Sequence, residues 1–149
     1  MVSVDVSPTY GWVVLGAGIG PAIVSMYLSG QVMKARKRFG VQYPNLYAVP
    51  GVHKGANEFN RVQRGHQNYL ENISDYRMMT LLGGLKYPLV CAVGSLVYLT
   101  GSILYLKGYA DASLDVKTAR YKKGAGIKYI GYFISLYSAG AFCYTLING

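Results

Sequence analysis

No Asp, Glu, Lys or Arg occurs between residues 6 and 33 of this chain. An uncharged, largely apolar stretch of this length can cross the hydrocarbon core of a bilayer, which is about 30 Å thick. A cleavable signal peptide has a basic start and an apolar core of about 7 to 15 residues, and the chain has neither feature. We therefore expect this stretch to be retained as a first membrane span, at about residues 10–33.

Two more uncharged runs, at residues 87–106 and 129–149, are near the length of about 20 residues that a spanning helix needs. The region 59–85 is also long enough, although it carries five charged side chains. Only helices and closed barrels satisfy their backbone hydrogen bonds within lipid. The sequence thus predicts an all-α integral membrane protein with a bundle of four transmembrane helices, forming one domain over residues 1–149.

The composition favours a membrane protein over a soluble basic one. Apolar residues make up 52% of the chain and charged residues 14%, whereas soluble domains average about 25% charged residues. In a soluble protein, the net charge of +9 would suggest a nucleic-acid partner. Here the basic residues flank the apolar runs, so we expect membrane flanks and no nucleic-acid partner.

Basic residues cluster in two of the connections between spans. Short loops rich in Lys and Arg stay on the cytoplasmic side of a membrane. We therefore expect both connections in the cytoplasm and both chain ends on the other side, since only Lys86 marks the opposite connection. The basic residues are Lys34, Arg36, Lys37, Arg38, Lys54, Arg61 and Arg64 after the first span, and Lys107, Lys117, Arg120, Lys122, Lys123 and Lys128 after the third.

Five polar side chains of the second span fall on one side of its helix, within an arc of roughly 80°. An ionisable group at membrane depth costs about 2.5 to 3.5 kcal/mol, so such groups usually line a site. Both signs of charge with an amide suit a zwitterionic ligand, whereas the alternative is a structural charge network between helices. The residues are Arg61, Arg64, Asn68, Glu71 and Asp75.

The third span carries hydroxyl groups on one side of its helix by the same rotation. Because they face a polar second span, we expect them to donate hydrogen bonds to an anion. Tyrosines at helix ends also form interfacial belts, which is the alternative. The residues are Tyr98, Ser102, Tyr105 and Tyr109.

Other familiar motifs do not predict chemistry here. Gly16 and Gly20 lack the spacing and the preceding strand of a dinucleotide site, and instead predict close helix packing. His53 and His66 have no further ligand at metal-binding spacing, so we expect no metal. No Ser/His/Asp or Cys/His arrangement is present, so any reaction takes its nucleophile from a bound molecule.

The second span and its surroundings resemble the microsomal glutathione transferase family, the membrane-associated proteins of eicosanoid and glutathione metabolism. FNRVQRGHQNYLE at residues 59–71 resembles the family signature, and its RxHQNxxE core is most similar to the type-3 members. Other similar segments occur on both sides of it in family order: VMKARK at 32–37, VQYPNLY at 41–47, two glycines at 83–84 and YLKGY at 105–109. The resemblance implies a homotrimer in the endoplasmic reticulum or an outer organelle membrane, with glutathione bound between subunits toward the cytoplasm.

The resemblance also implies which side chains bind glutathione, the co-substrate. The chemistry fits, because an Arg can bind a carboxylate of the tripeptide while a Glu binds its amine. His66 stands where some members have Gln, so for this residue the resemblance implies only a polar contact. The implied contacts are Arg64, Asn68 and Glu71 on the second helix, Tyr105 and Tyr109 on the third, and Arg36 and His66 from across the subunit interface.

Glutathione must be ionised to act as a nucleophile, since a thiol with a pKa near 8.5 is only a few per cent thiolate at pH 7. In the leukotriene-forming relatives, a cation near the start of the fourth helix stabilises the thiolate. A straight count from Tyr109 reaches Val116, which leaves the register open. Arg120 is the first catalytic candidate, because its guanidinium is permanently charged, and Lys117 is the second.

These features predict a membrane-bound glutathione transferase or peroxidase, which includes leukotriene C4 synthase-like activity. Its thiolate would attack a lipophilic electrophile or a lipid hydroperoxide that arrives through the membrane lipid. The alternative is a non-catalytic lipid-binding scaffold, like the lipoxygenase-activating branch of the family. A small four-span channel would explain the apolar runs but not the order of the motifs.

Overall fold

A computed structural model describes residues 6–149, and this part of the chain contains helices and no strand. The first long helix comprises α1 (Tyr10–Val14), a π-helical turn (Leu15–Ile19) and α2 (Gly20–Phe39). Next come α3 (Ala56–Gly84) and α4 (Pro88–Tyr109). The short α5 (Val116–Ala119) precedes the last long helix, α6 (Ile127–Asn148).

Within residues 6–149, three helical stretches are long and apolar enough to cross a membrane: Tyr10–Phe39, Pro88–Tyr109 and Ile127–Asn148. The first extends beyond its predicted end because the basic residues after Met33 remain helical. It ends at Gly40, which adopts the left-handed conformation with a φ of 67°. The predicted second span is helical as α3, but its charged residues set it apart from the three apolar helices. That α3 crosses the membrane therefore stays a prediction.

Successive long helices run in opposite directions. Arg61, near the start of α3, bonds to the end of α4 at Tyr109. Lys86, just before α4, bonds to Thr145 near the end of α6. The two basic connections therefore lie at the same end of the bundle, and the side of the membrane that they face stays a prediction.

Side chains of α3 compensate for the irregular start of the first helix. Pro21 has no N–H group and cannot donate a helical hydrogen bond to the carbonyl of Ala17. Arg77 on α3 donates to this carbonyl from Nε at 2.9 Å. The hydroxyls of Tyr76 and Tyr69 donate to carbonyl oxygens of the same region at 3.2 and 2.8 Å. Arg77 thus ties α3 to the π-helical turn.

Close approaches at glycines hold α4 between α6 and the first helix. A Cβ atom on Gly131 would lie 2.5 Å from a carbonyl oxygen of α4, and a Cβ atom on Gly101 would meet the backbone of Lys128. On the other side of α4, a Cβ atom on Gly16 would lie 2.5 Å from Cβ of Ser95. Only glycine permits these approaches, which confirms that Gly16 serves helix packing.

Tyrosines fill the interior between α3 and α4. The rings of Tyr76 and Tyr98 stack with centroids 3.8 Å apart, and both residues are fully buried. Ser102 is also buried and donates its hydroxyl to the Tyr98 carbonyl oxygen at 2.8 Å. The prediction that Tyr98 and Ser102 donate hydrogen bonds to an anion is therefore wrong, because the helix interface encloses both side chains.

The connection between α2 and α3 folds back onto the helix ends. The Asn60 side chain accepts a hydrogen bond from the Ala48 N–H group at 2.8 Å and donates one to the Ala48 carbonyl at 2.9 Å. Arg36 donates to the carbonyl oxygen of Asn45 at 2.8 Å, and its guanidinium lies 4.3 Å from the ring centroid of Tyr43. This connection therefore covers the end of the bundle where the predicted site lies.

Candidate functional site

Arg64 and Glu71 form an ion pair on the surface of α3. Nη1 of Arg64 lies 2.5 Å from Oε1 of Glu71, and the two side chains are 45% and 42% exposed. Seven residues correspond to about two helical turns, so both side chains project from one side of the helix. The pair therefore places one charge of each sign where a zwitterionic ligand can reach both.

Asn68 lies one helical turn from each member of this pair and bonds to α6. Its Oδ1 atom accepts a hydrogen bond of 2.6 Å from Nζ of Lys128. Lys128 is only 3% exposed, and its ammonium lies 4.5 Å from the ring centroid of Tyr105 on α4. Lys128 thus connects two predicted glutathione contacts that belong to different helices.

The charge pattern of the sequence places Lys128 among the basic residues of a cytoplasmic connection, and this prediction is wrong. The residue belongs to the first turn of α6 and is buried among tyrosine rings. The sequence does contain a feature that indicates a buried role for Lys128, because it is the only charged residue between 124 and 149. A lone charge at the edge of an apolar helix usually has a specific partner.

Arg61 holds the C-terminal end of α4. Its guanidinium donates to three carbonyl oxygens, those of Tyr109 at 2.6 Å, Asp111 at 2.7 Å and Leu114 at 3.0 Å. The last carbonyls of a helix have no intrahelical partner, and they attract a cation. Arg61 belongs to the predicted polar arc, but its contacts fix Tyr109 and the chain that follows.

An open cavity of about 680 Å³ lies beside this end of the helices. It brings together α3, the end of α4 and both basic connections. Two predicted glutathione contacts, Arg64 and Tyr109, lie on its wall. The lining residues are Tyr47, Asn57, Asn60, Arg61, Arg64, Tyr109 and Val116.

The segment after α4 carries both candidates for thiolate activation. Nε of Arg120 is buried and has no hydrogen-bond partner within the described part of the chain. The guanidinium lies within electrostatic range of Tyr105 and Tyr109. Lys117 is exposed, and its backbone N–H donates to Oδ1 of Asp115 at 3.1 Å. Of the two candidates, Arg120 is the one that lies near the predicted tyrosines.

An ion pair closes the same segment. Nζ of Lys123 lies 2.7 Å from Oδ2 of Asp111, and Ser113 donates both its hydroxyl and its backbone N–H to Oδ1. The hydrogen bond from Lys123, followed by those from Ser113, holds the pKa of Asp111 well below its usual range. The carboxylate is therefore charged at neutral pH. Its ion pair with Lys123 joins the two ends of the segment that carries Arg120.

Within one chain, Arg36 and His66 do not contact the Arg64–Glu71 pair. Arg36 donates to carbonyl oxygens of the connection that follows α2. Nε2 of His66 lies 3.3 Å from Oγ of Ser29 on α2. No carboxylate in residues 6–149 bonds to the other ring nitrogen, so Ser29 and His66 do not form a catalytic triad. Their predicted role in the site of a neighbouring subunit stays a prediction.

The acidic residues add no further centre to the described chain. Asp75 is exposed and belongs to neither of the two ion pairs found in residues 6–149. Over the same range, no three His, Cys, Asp or Glu side chains form a group that could hold a metal ion.

A comparison with protein families identifies the class of membrane protein. The model of the MAPEG family matches residues 14–143, which is most of the chain. The chain belongs to the MAPEG family. Membership confirms the resemblance to membrane-associated glutathione proteins, and it agrees with the three apolar helices. The MAPEG family uses glutathione as a co-substrate, and some of its members are non-catalytic.

Proposed function

We propose that this MAPEG protein is a membrane-bound glutathione transferase or peroxidase. The exposed Arg64–Glu71 ion pair carries this proposal, with Asn68 between the two residues and Tyr109 on the wall of the same cavity as Arg64. Glutathione has two carboxylates, one amine and two peptide groups. A guanidinium, a carboxylate, an amide and phenols are matching partners for these groups.

Glutathione would bind by exchange of ion pairs. In the free chain, Arg64 and Glu71 bind each other. The ligand replaces this one pair with two, because its carboxylate binds Arg64 and its amine binds Glu71. An exposed ion pair contributes only about 0 to 1 kcal/mol, so little free energy opposes its opening.

Arg120 is the proposed activator of the thiol, with Lys117 as the second candidate. A decrease of two units in a thiol pKa requires about 2.7 kcal/mol of preferential stabilisation of the thiolate. The guanidinium of Arg120 stays charged at neutral pH, because arginine is effectively always protonated in proteins. The bound thiolate then attacks an electrophilic carbon, which displaces a leaving group or opens an epoxide ring. With a lipid hydroperoxide it attacks the peroxide oxygen, which breaks the O–O bond and releases the lipid alcohol, and a second glutathione converts the resulting sulfenic acid to the disulfide and water.

We further propose the assembly and compartment that the family resemblance implies. The protein would be a type-3-like homotrimer with a cytoplasm-facing site, in the endoplasmic reticulum or an outer organelle membrane. Arg36 and His66 would complete the site of the neighbouring subunit. Lipophilic substrates would enter from the membrane lipid, and α3 would be the second of four spans.

An apolar groove favours a second candidate function, that of a non-catalytic lipid-binding scaffold. The groove lies between the first helix and α4, has a volume of about 610 Å³ and is lined by residues such as Trp12, Leu89 and Leu96. A scaffold would bind lipid there without turnover. An enzyme could use the same groove as a substrate path, and glutathione binding distinguishes the two functions.

Thiolate formation in the purified protein tests the enzyme proposal. We expect glutathione to show thiolate ultraviolet absorbance when it is bound at neutral pH, and the protein to consume glutathione with a lipophilic electrophile or a lipid hydroperoxide. Arg120→Ala should bind glutathione without the thiolate signal. Lipid binding without any glutathione binding would instead support the scaffold.

A further inference from the structure

Lys128 is a buried cation with few partners. Its ammonium has three N–H donors, and within residues 6–149 only the bond to Oδ1 of Asn68, at 2.6 Å, uses one. Neither ion pair found in the same range includes Lys128. Its other neighbours are the faces of Tyr105, Tyr129 and Tyr98, with ring centroids 4.5, 5.6 and 6.0 Å from Nζ.

This position is unfavourable for a side chain without a role. A buried charge requires partners that replace its lost hydration, and the interaction with aromatic faces replaces it only partly. A methionine or leucine would fill the same space without this penalty. The backbone of α6 also lies tightly against Gly101 at this residue, so the side chain is directed between α3 and α4 by helix packing.

We propose that Lys128 is a positioning residue of the glutathione site, an inference that rests on the proposed function. An ammonium has no acceptor, so the Asn68 atom that faces it must be the oxygen. The Nδ2 group of Asn68 is thereby directed away from Lys128. In the described chain Nδ2 of Asn68 has no hydrogen-bond partner. The side chain of the neighbouring Asn72 donates to the backbone carbonyl of Asn68 and not to its side chain.

The orientation of Asn68 determines which part of the ligand it binds. Because Oδ1 faces the buried ammonium of Lys128, the end of the amide without a partner is Nδ2, which donates to a carbonyl or carboxylate oxygen and not to the amine. Along α3, the site then presents a donor at Arg64, a donor at Asn68 and an acceptor at Glu71. The amine of glutathione must bind at the Glu71 end, and its carbonyl and carboxylate groups must bind toward Arg64. Lys128 is 3% exposed, so it acts through Asn68 rather than by contact with the ligand.

Binding of S-hexylglutathione to the detergent-purified full chain tests this inference, because a thioether has no thiol to ionise. Asn68→Asp keeps the shape and the oxygen that faces Lys128, but it replaces the N–H donors with an acceptor. We expect Asn68→Asp to bind S-hexylglutathione at least about tenfold more weakly than the wild type does. Lys128→Met keeps the volume and lets the amide rotate, and we expect binding about three- to tenfold weaker. Lys122→Met, at an exposed lysine of the preceding connection, is the matched control and should bind like the wild type.

The double variant Lys128→Met/Asn68→Ala isolates the mechanism. If Lys128 acts through Asn68, the double variant should bind no more weakly than Asn68→Ala alone. The midpoint of thermal unfolding of Lys128→Met should not fall, since replacing a buried charge with an apolar side chain is often neutral or stabilising.

Wild-type affinity in Asn68→Asp or in Lys128→Met would overturn the inference, and so would additive losses in the double variant. These outcomes leave the proposed function intact if the wild type binds the probe. If the wild type itself does not bind S-hexylglutathione, the proposed function fails.

Discussion

Arg64 and Glu71 lie two turns apart on α3, and Nη1 of Arg64 lies 2.5 Å from Oε1 of Glu71. Both side chains are nearly half exposed, so solvent weakens their attraction. The pair joins two residues of one helix and is not a bond between helices. We propose that a zwitterionic ligand opens it, whereas in the alternative of a structural charge network the pair would serve stability.

Arg64→Gln should weaken glutathione binding by about 10- to 100-fold, because a charge-assisted hydrogen bond to a carboxylate is lost. The midpoint of thermal unfolding should change little, since the lost ion pair is exposed. Isothermal titration with S-hexylglutathione and a thermal melt measure both effects. Arg38→Gln removes an exposed arginine at the end of α2 and is the control. Unchanged affinity in Arg64→Gln, with a large loss of stability, would assign the pair to a structural network.

Arg120→Ala should preserve glutathione binding and slow turnover at neutral pH. The loss should shrink as the pH rises, because a free thiol with a pKa near 8.5 ionises without help in alkaline solution. Profiles of kcat/KM against pH for the wild type, Arg120→Ala and Lys117→Ala measure this effect. If Lys117→Ala shows the pH-dependent loss and Arg120→Ala does not, Lys117 is the activating cation.

Arg61→Met should loosen the end of α4 and the chain after it. The change removes three hydrogen bonds to the carbonyls of Tyr109, Asp111 and Leu114. We expect a loss of about 1 to 3 kcal/mol in the free energy of unfolding. Faster amide hydrogen exchange at residues 110–124, with normal exchange at residues 16–35, is the expected local signature. Equal acceleration of exchange in both regions, relative to the wild type, would contradict a local role for Arg61.

Asp111→Asn should lower stability at neutral pH and not in strong acid. The folded-state pKa of Asp111 is depressed, chiefly by the hydrogen bond from Lys123. Its contribution is therefore complete well above the unfolded pKa of about 3.9, and it is lost as the pH falls through the lower folded value. Thermal melts of the wild type and Asp111→Asn should differ at pH 7 and converge only below about pH 4. A difference that disappears near neutral pH would contradict this assignment.

Gly131→Ala should destabilise the protein, because the added Cβ atom would lie 2.5 Å from a carbonyl oxygen of α4. Overpacking of this kind costs about 1 to 3 kcal/mol. Gly140→Ala on the same helix is the matched control, since a Cβ atom there meets nothing within 4 Å. Thermal melts of the two variants in detergent should differ in midpoint, and equal midpoints would contradict the close approach of α6 to α4.

The sequence predicts the helices and the Arg64–Glu71 relationship because both depend on local properties of the chain. Uncharged runs mark the apolar helices, and the helical repeat places Arg64, Asn68 and Glu71 on one side of α3. The motif order also led to the MAPEG family, which the family comparison confirms.

The helical repeat predicts which side of a helix a residue occupies, but not which neighbouring element its side chain contacts. Tyr98 and Tyr109 share one side of α4, yet Tyr98 stacks on α3 in the interior while Tyr109 lines the cavity. The difference arises because packing encloses the middle of α4 and leaves its end open.

The sequence by itself therefore determined the class of the protein, the helices and the charged side of α3. Only the tertiary structure decided that Arg61 caps α4 and that Lys128 is buried against Asn68. Both contacts join residues far apart in the chain. They depend on how closely the helices approach, which the glycines at Gly101 and Gly131 permit but which hydropathy and helical repeat do not encode.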